Sequence, residues 1–179
     1  MNADGSFVDY DVYGTGYLTG NGKVWILPNP DALDNWCTTV GIKRQDRTYS
    51  TADLEGTWGV AGFGDENGTS FNADFGFMTF DADGNYSYNF ANQRDGTFTT
   101  ETGTGTFLVS ADGSFGESVT PGAPYYAGAI GNDGNIIIFN MSFDRSSPHH
   151  REIFIGVRVT RQASDAALWL LNVRNSDGG

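Results

Sequence analysis

Ala3-Asp4-Gly5-Ser6-Phe7 recurs letter for letter as Ala111-Asp112-Gly113-Ser114-Phe115. Each copy opens a run of similar text. The first continues through Gly16, Asn21-Gly22, Val24-Trp25-Ile26 and Val40-Gly41-Ile42-Lys43. The second continues through Gly128, Asp133-Gly134, Ile136-Ile137-Ile138 and Ile155-Gly156-Val157-Arg158. The offset grows from 108 to 112 to 115 residues, as two small insertions in surface loops make it. Internal repetition decides the fold class before any single residue does. The reading is a partial β-repeat over 1–48 (the closing half of a unit), a complete unit over 49–162, and a C-terminal helix or strand with a frayed tail over 163–179.

Turn signals give the class. Asp4-Gly5, Asn21-Gly22, Asp83-Gly84, Asp95-Gly96, Asp112-Gly113 and Asp133-Gly134 interrupt alternating apolar and polar residues. Asn-Gly and Asp-Gly supply the positive φ that two-residue hairpins require. The full unit reads as eight strands: 57–62, 73–80, 85–90, a bent strand made of 97–100 and 105–110, then 114–119, 125–130, 135–143 and 152–160. The glycines of the bent strand suggest a bend or bulge. Aromatics share one face in Tyr86-Ser87-Tyr88-Asn89-Phe90. The N-terminal segment adds about four strands, near 7–13, 16–19, 23–28 and 37–44. Ser50 to Leu54 makes one short helical turn. Ser164 followed by Asp165-Ala166-Ala167-Leu168-Trp169-Leu170-Leu171 reads as an N-capped helix, with the first strand of a further copy as the rival reading. The fold prediction is all-β: an antiparallel up-and-down meander of about eight strands curled into a barrel, plus the partial repeat of about four.

Composition agrees. Among 179 residues there are 25 glycines and 25 aromatics, and 17 of the 22 acidic residues are Asp. Asp serves turns by bonding its own backbone, whereas Glu serves helices. A net charge of −12 repels phosphate, and no Lys/Arg cluster exists to overcome it, so nucleic-acid binding is not expected. The single cysteine, Cys37, allows no intramolecular disulfide. Met1-Asn2-Ala3-Asp4-Gly5 carries neither a basic region nor an apolar stretch, so no signal peptide is expected. As it stands the chain reads as cytoplasmic, and as extracellular if trimmed from a secreted protein. No apolar run is long enough to span a membrane as a helix.

The stretch Tyr49-Ser50, then Asp53-Leu54-Glu55-Gly56-Thr57-Trp58, places a Gly-x-Trp at the mouth of the first strand. It resembles the opening of calycin-type barrels, the lipocalins and their relatives. It is also similar to uncharacterised bacterial repeat proteins whose units begin Asp-Leu-x-Gly-Thr-Trp. The calycin resemblance covers about residues 49–160. It implies that a basic residue on the last strand lies across the Trp ring, and the matching residue is Arg158. Lys43 is its repeat partner. The Thr-Asp-Tyr motif of many lipocalins is absent.

Specific chemistries find little support. Asp81-Ala82-Asp83-Gly84-Asn85 imitates the start of a calcium loop, but the positions that need Gly and a bidentate Glu hold Tyr86 and Asn92. A hairpin turn explains the same residues. His149 and His150 are adjacent, and extended chain points neighbours to opposite sides, so no metal site is expected. No Gly-x-Ser-x-Gly exists, and no cofactor or catalytic set is expected. Aromatics are more numerous than a small barrel interior needs. Trp58, Phe77, Tyr88, Tyr125 and Tyr126 are the candidates for a mouth that takes a small apolar or carbohydrate ligand. The functional expectation is a non-enzymatic small-molecule-binding module. Its alternative is a structural or protein-interaction repeat with a filled core. Four strands cannot close a barrel, so residues 1–48 are expected to form a homodimer or larger assembly.

Overall fold

A computed structural model describes residues 6–9, 14–18, 23–30, 36–66, 70–94, 96–117, 125–131, 134–142 and 150–159. Within these, only the backbone is described for 6–9, 14–18, 27–30, 36–39, 65–66, 70–71, 125–126, 141–142 and 150–151. The helix expected at 164–171 lies outside the described residues, as do His149 and the loops at 118–124 and 143–149.

Four strands come first: β1 (Ser6–Asp9), β2 (Gly14–Leu18), β3 (Val24–Pro30) and β4 (Trp36–Ile42). They form an antiparallel sheet in that order. A single 3-10 turn, Thr51–Leu54, leads into β5 (Gly56–Glu66). Then come β6 (Ser70–Phe80), β7 (Asn85–Arg94), β8 (Thr97–Val109), β9 (Ser114–Glu117), β10 (Tyr125–Gly131), β11 (Ile136–Ser142) and β12 (His150–Arg158). These eight close into a barrel, each strand antiparallel to the next, and β12 returns to pair with β5 from His150↔Glu66 to Arg158↔Trp58. The all-β meander expected from the sequence is the fold observed.

The turns are built as the Asp-Gly pairs dictate. Gly84, Gly96, Gly113 and Gly134 all hold positive φ, between 73° and 84°. Of the bend or bulge expected in β8, the bulge does not occur. No bulge interrupts β8 opposite β7, because the register runs unbroken from Arg94↔Thr97 to Asn85↔Thr106. Gly103 and Gly105 serve space instead: a Cβ on either would stand about 2.5 Å from the rings of Tyr88 and Tyr86. The same small-under-large packing seats Phe154 over Gly62 and Ile137 over Gly156.

Those glycines admit a dense aromatic core. Phe139 and Phe154 stack at 4.9 Å with 7° between ring planes, and Phe107 lies 4.8 Å from Tyr86 and 5.2 Å from Phe115. Leu54, Trp58, Phe80 and Ile130 are buried with them. On the outside, β7 and β8 carry Ser87, Asn89, Thr100, Thr102 and Thr104, whereas β11, β12, β5 and β6 carry Ile138, Ile155, Val157, Phe63, Phe75 and Phe77.

The segment after β4 ties the small sheet to the barrel. Ile42 lies against Gly131. Arg44 donates to the backbone oxygen of Asp112 and stands 3.1 Å from its carboxylate. The Tyr49 ring is buried against Gly113, and its amide donates to the Ala111 oxygen at 3.0 Å.

Candidate functional site

The barrel has two unlike ends. At the first, Trp58 is fully buried and its Nε1–H donates to the Leu54 oxygen at 2.8 Å. The Arg158 guanidinium covers the indole face, 4.4 Å from the ring centroid. It also donates to the backbone oxygens of Gly134 (2.9 Å), Glu55 and Asp53. One planar cation with donors on three sides thereby holds the 3-10 turn over the Trp and plugs this end. Lys43 is exposed, and only its backbone repeats the pattern, with its N–H donating to the Lys23 oxygen at 2.8 Å.

The other end is polar. Alternation along the strands aims Asn72 and Asp74 of β6, Tyr88 of β7, Glu101 of β8, Glu117 of β9 and Glu152 of β12 toward the interior. Tyr88 Oη donates to Glu101 Oε1 at 2.8 Å, and Tyr86 Oη donates to Glu117 Oε1 at 3.1 Å. Arg94 Nε donates to Asn72 Oδ1 at 3.2 Å, and Asn72 Nδ2 donates to Glu152 Oε1 at 3.4 Å. Burial, reinforced by the neighbouring Glu101 charge, pushes the Asp74 carboxyl up to about 6, against an Asn92 hydrogen bond and the Arg94 charge. Burial likewise raises Glu117, Tyr86 and Tyr88, so both phenols keep their protons and act as donors.

Between this polar layer and the aromatic core lies a cavity of about 20 Å³. Asp74, Met78, Tyr86, Tyr88, Phe90 and Glu101 line it, with Phe139 and Phe154 as its floor. That is room for one water molecule, far below the ~300 Å³ of a typical small-molecule pocket.

Of the residues expected at a mouth, Tyr88 lies in the polar layer and lines the small cavity. Trp58 is at the opposite, plugged end. Odd positions of β6 face outward, and Phe77 is 46% exposed on the barrel's outer wall. Tyr125 and Tyr126 begin β10 at the polar end, pairing with Ser142 and Met141, and their side chains lie outside the described residues. Sequence reading missed Asp74, Glu101 and Glu117. Their signal was strand parity, since each stands an even number of residues along its own strand from a buried aromatic or methionine: Phe80, Phe107 and Phe115. The calcium-loop imitation resolves as a turn, in which Asp81 accepts from the amides of Asp83 and Asn85. Among the described residues no group of three His, Cys, Asp or Glu side chains is placed to hold a metal ion. No helix there is long and apolar enough to cross a membrane.

The architecture is a closed barrel of eight antiparallel strands, up and down, joined first to last. No family model matches the sequence, and no curated relative matches it. Solved structures do. One is the siderocalin Ex-FABP, said to function through dual ligand specificities, which is 9% identical over 60% of this chain and 74% of that one, with a TM-score of 0.39.

Proposed function

We propose that the barrel is a non-enzymatic binding module that meets a small polar ligand, of the carbohydrate class, at its mouth. The observation that supports this reading is the Tyr88–Glu101 pair standing over Asp74 and Phe90 at the edge of the cavity. Aromatic faces bordered by carboxylates suit a sugar, which stacks an apolar ring face and donates hydroxyls. A lipid fits poorly, because the described cavity holds only about 20 Å³ and an apolar chain there would desolvate Asp74 and Glu101.

Titrating the isotope-labelled protein with glucose, N-acetylglucosamine, maltose and cellobiose tests it by NMR. Saturable shifts centred on Tyr88, Phe90 and Glu101 are expected with at least one sugar, weakened about tenfold or more in Tyr88→Ala. No saturable shift with any sugar up to about 10 mM would sink the carbohydrate reading.

A second reading has its own support. The aromatic packing among the described interior residues, together with Phe77 and Val157 more than two-fifths exposed on one outer wall, fits a protein-interaction or structural repeat that works by its surface.

A further inference from the structure

The four-stranded sheet and the last four strands of the barrel share one register. Phe7↔Gly16 matches Phe115↔Gly128, and Ser6↔Tyr17 matches Ser114↔Ala129. Tyr17↔Ile26 and Leu18↔Trp25 match Ala129↔Ile138 and Ile130↔Ile137. Val24↔Ile42, Trp25↔Gly41 and Ile26↔Val40 match Ile136↔Val157, Ile137↔Gly156 and Ile138↔Ile155. The packing matches too. The Trp25 ring lies over Gly41, where a Cβ would meet it at 1.9 Å, as Ile137 lies over Gly156 inside the barrel. The bond from the Lys43 amide to the Lys23 oxygen has its twin in the one from Arg158 to Asn135.

We infer that β1–β4 is the closing half of a second barrel, completed by the same four strands of a second copy of this chain. In the closed barrel the counterpart of β1, which is β9, pairs with β8, and the counterpart of β4, which is β12, pairs with β5. Among the described residues β1 pairs only with β2, and β4 only with β3. Among the described residues the sheet thus has two edges of known direction. Strand sense fits a second copy. In a four-strand meander the first and last strands run opposite ways. A two-fold axis along the barrel therefore sets β4 of each copy antiparallel to β1 of the other, giving eight strands with no edge. The same rotation keeps every inward position inward, so both Trp25 rings face the shared interior. Extended edges left in water invite unspecific pairing, and this closure removes them.

The Lys43 amide points toward β3, so by alternation those of Thr38 and Val40 point to the free edge. Light scattering coupled to size-exclusion chromatography on the full chain is expected to give twice the 19.3 kDa chain mass. Hydrogen exchange should then show slow, concentration-dependent exchange at Thr38 and Val40. Thr38→Pro removes one edge donor while sparing the β3 ladder, and should raise the dimer dissociation constant about a hundredfold. A monomer at about 100 µM overturns the inference, because an edge-free barrel of this size should hold far below that concentration. A dimer with unprotected Thr38 and Val40 overturns it as well, since the copies then meet elsewhere. If Thr38→Pro does not fold, exchange in the unmodified chain decides alone.

Discussion

Arg158 does three jobs with one side chain: it covers the Trp58 ring, caps the carbonyls of the Thr51–Leu54 turn, and grips Gly134 in the β10–β11 connection. Arg158→Met should cost about 2–4 kcal/mol of stability in urea denaturation, from a cation–π contact and several charged hydrogen bonds. Arg158→Lys should recover less than half of it, because an ammonium cannot fork to carbonyls on separate sides. Asp74 makes a pH prediction. Its folded value of about 6 lies above the ordinary 3.8, so the folded state binds the proton more tightly than the unfolded chain does. Its contribution to stability is therefore full below about pH 4 and is lost as pH rises to 6. Asp74→Asn should flatten the denaturation midpoint over that range and stabilise the protein at pH 7 by about 1–2 kcal/mol. An unchanged pH profile in the variant would show that the carboxylate is well solvated in the fold.

Strands and turns were the most legible elements. Each Asp-Gly in the described barrel residues marks a positive-φ turn, and the expected strand limits fall within a few residues of those observed. Parity along β7 was visible in Tyr86, Tyr88 and Phe90, because polar residues alternate with them. Parity along β6 was not. Phe75, Gly76, Phe77 and Met78 are apolar on both faces, so Phe77 could be assigned to the wrong one. The polar layer stayed hidden for another reason: one acid among 22 carries no signal until the strands fix which ones converge. Glycines in β8 suggested a bend or bulge, since a sequence does not distinguish a glycine needed for backbone freedom from one needed for room. Packing now separates the two. Gly103→Ala and Gly105→Ala should each cost about 1–3 kcal/mol by forcing a Tyr ring aside, a loss readable as a fall in Tm. Gly96→Ala meets nothing within 4 Å and should lose only the smaller cost of its φ of 78°.

At the scale of the whole molecule, Trp58 and Arg158 plug one end of the barrel, and among the described residues the other end carries a carboxylate and phenol layer above an aromatic core. Asp74, Glu101, Glu117 and Glu152 converge at this polar end, and Arg94 stands beside them, bonded to Asn72. A ligand that met this mouth would displace water from Tyr88 and Glu101 and leave the core untouched. The binding claim is tested most directly by native mass spectrometry of the protein purified from its source under non-denaturing conditions. The account predicts a small-molecule adduct on the intact protein that is reduced or lost in Tyr88→Ala. Protein carrying only its bare polypeptide mass, in both forms, would contradict it.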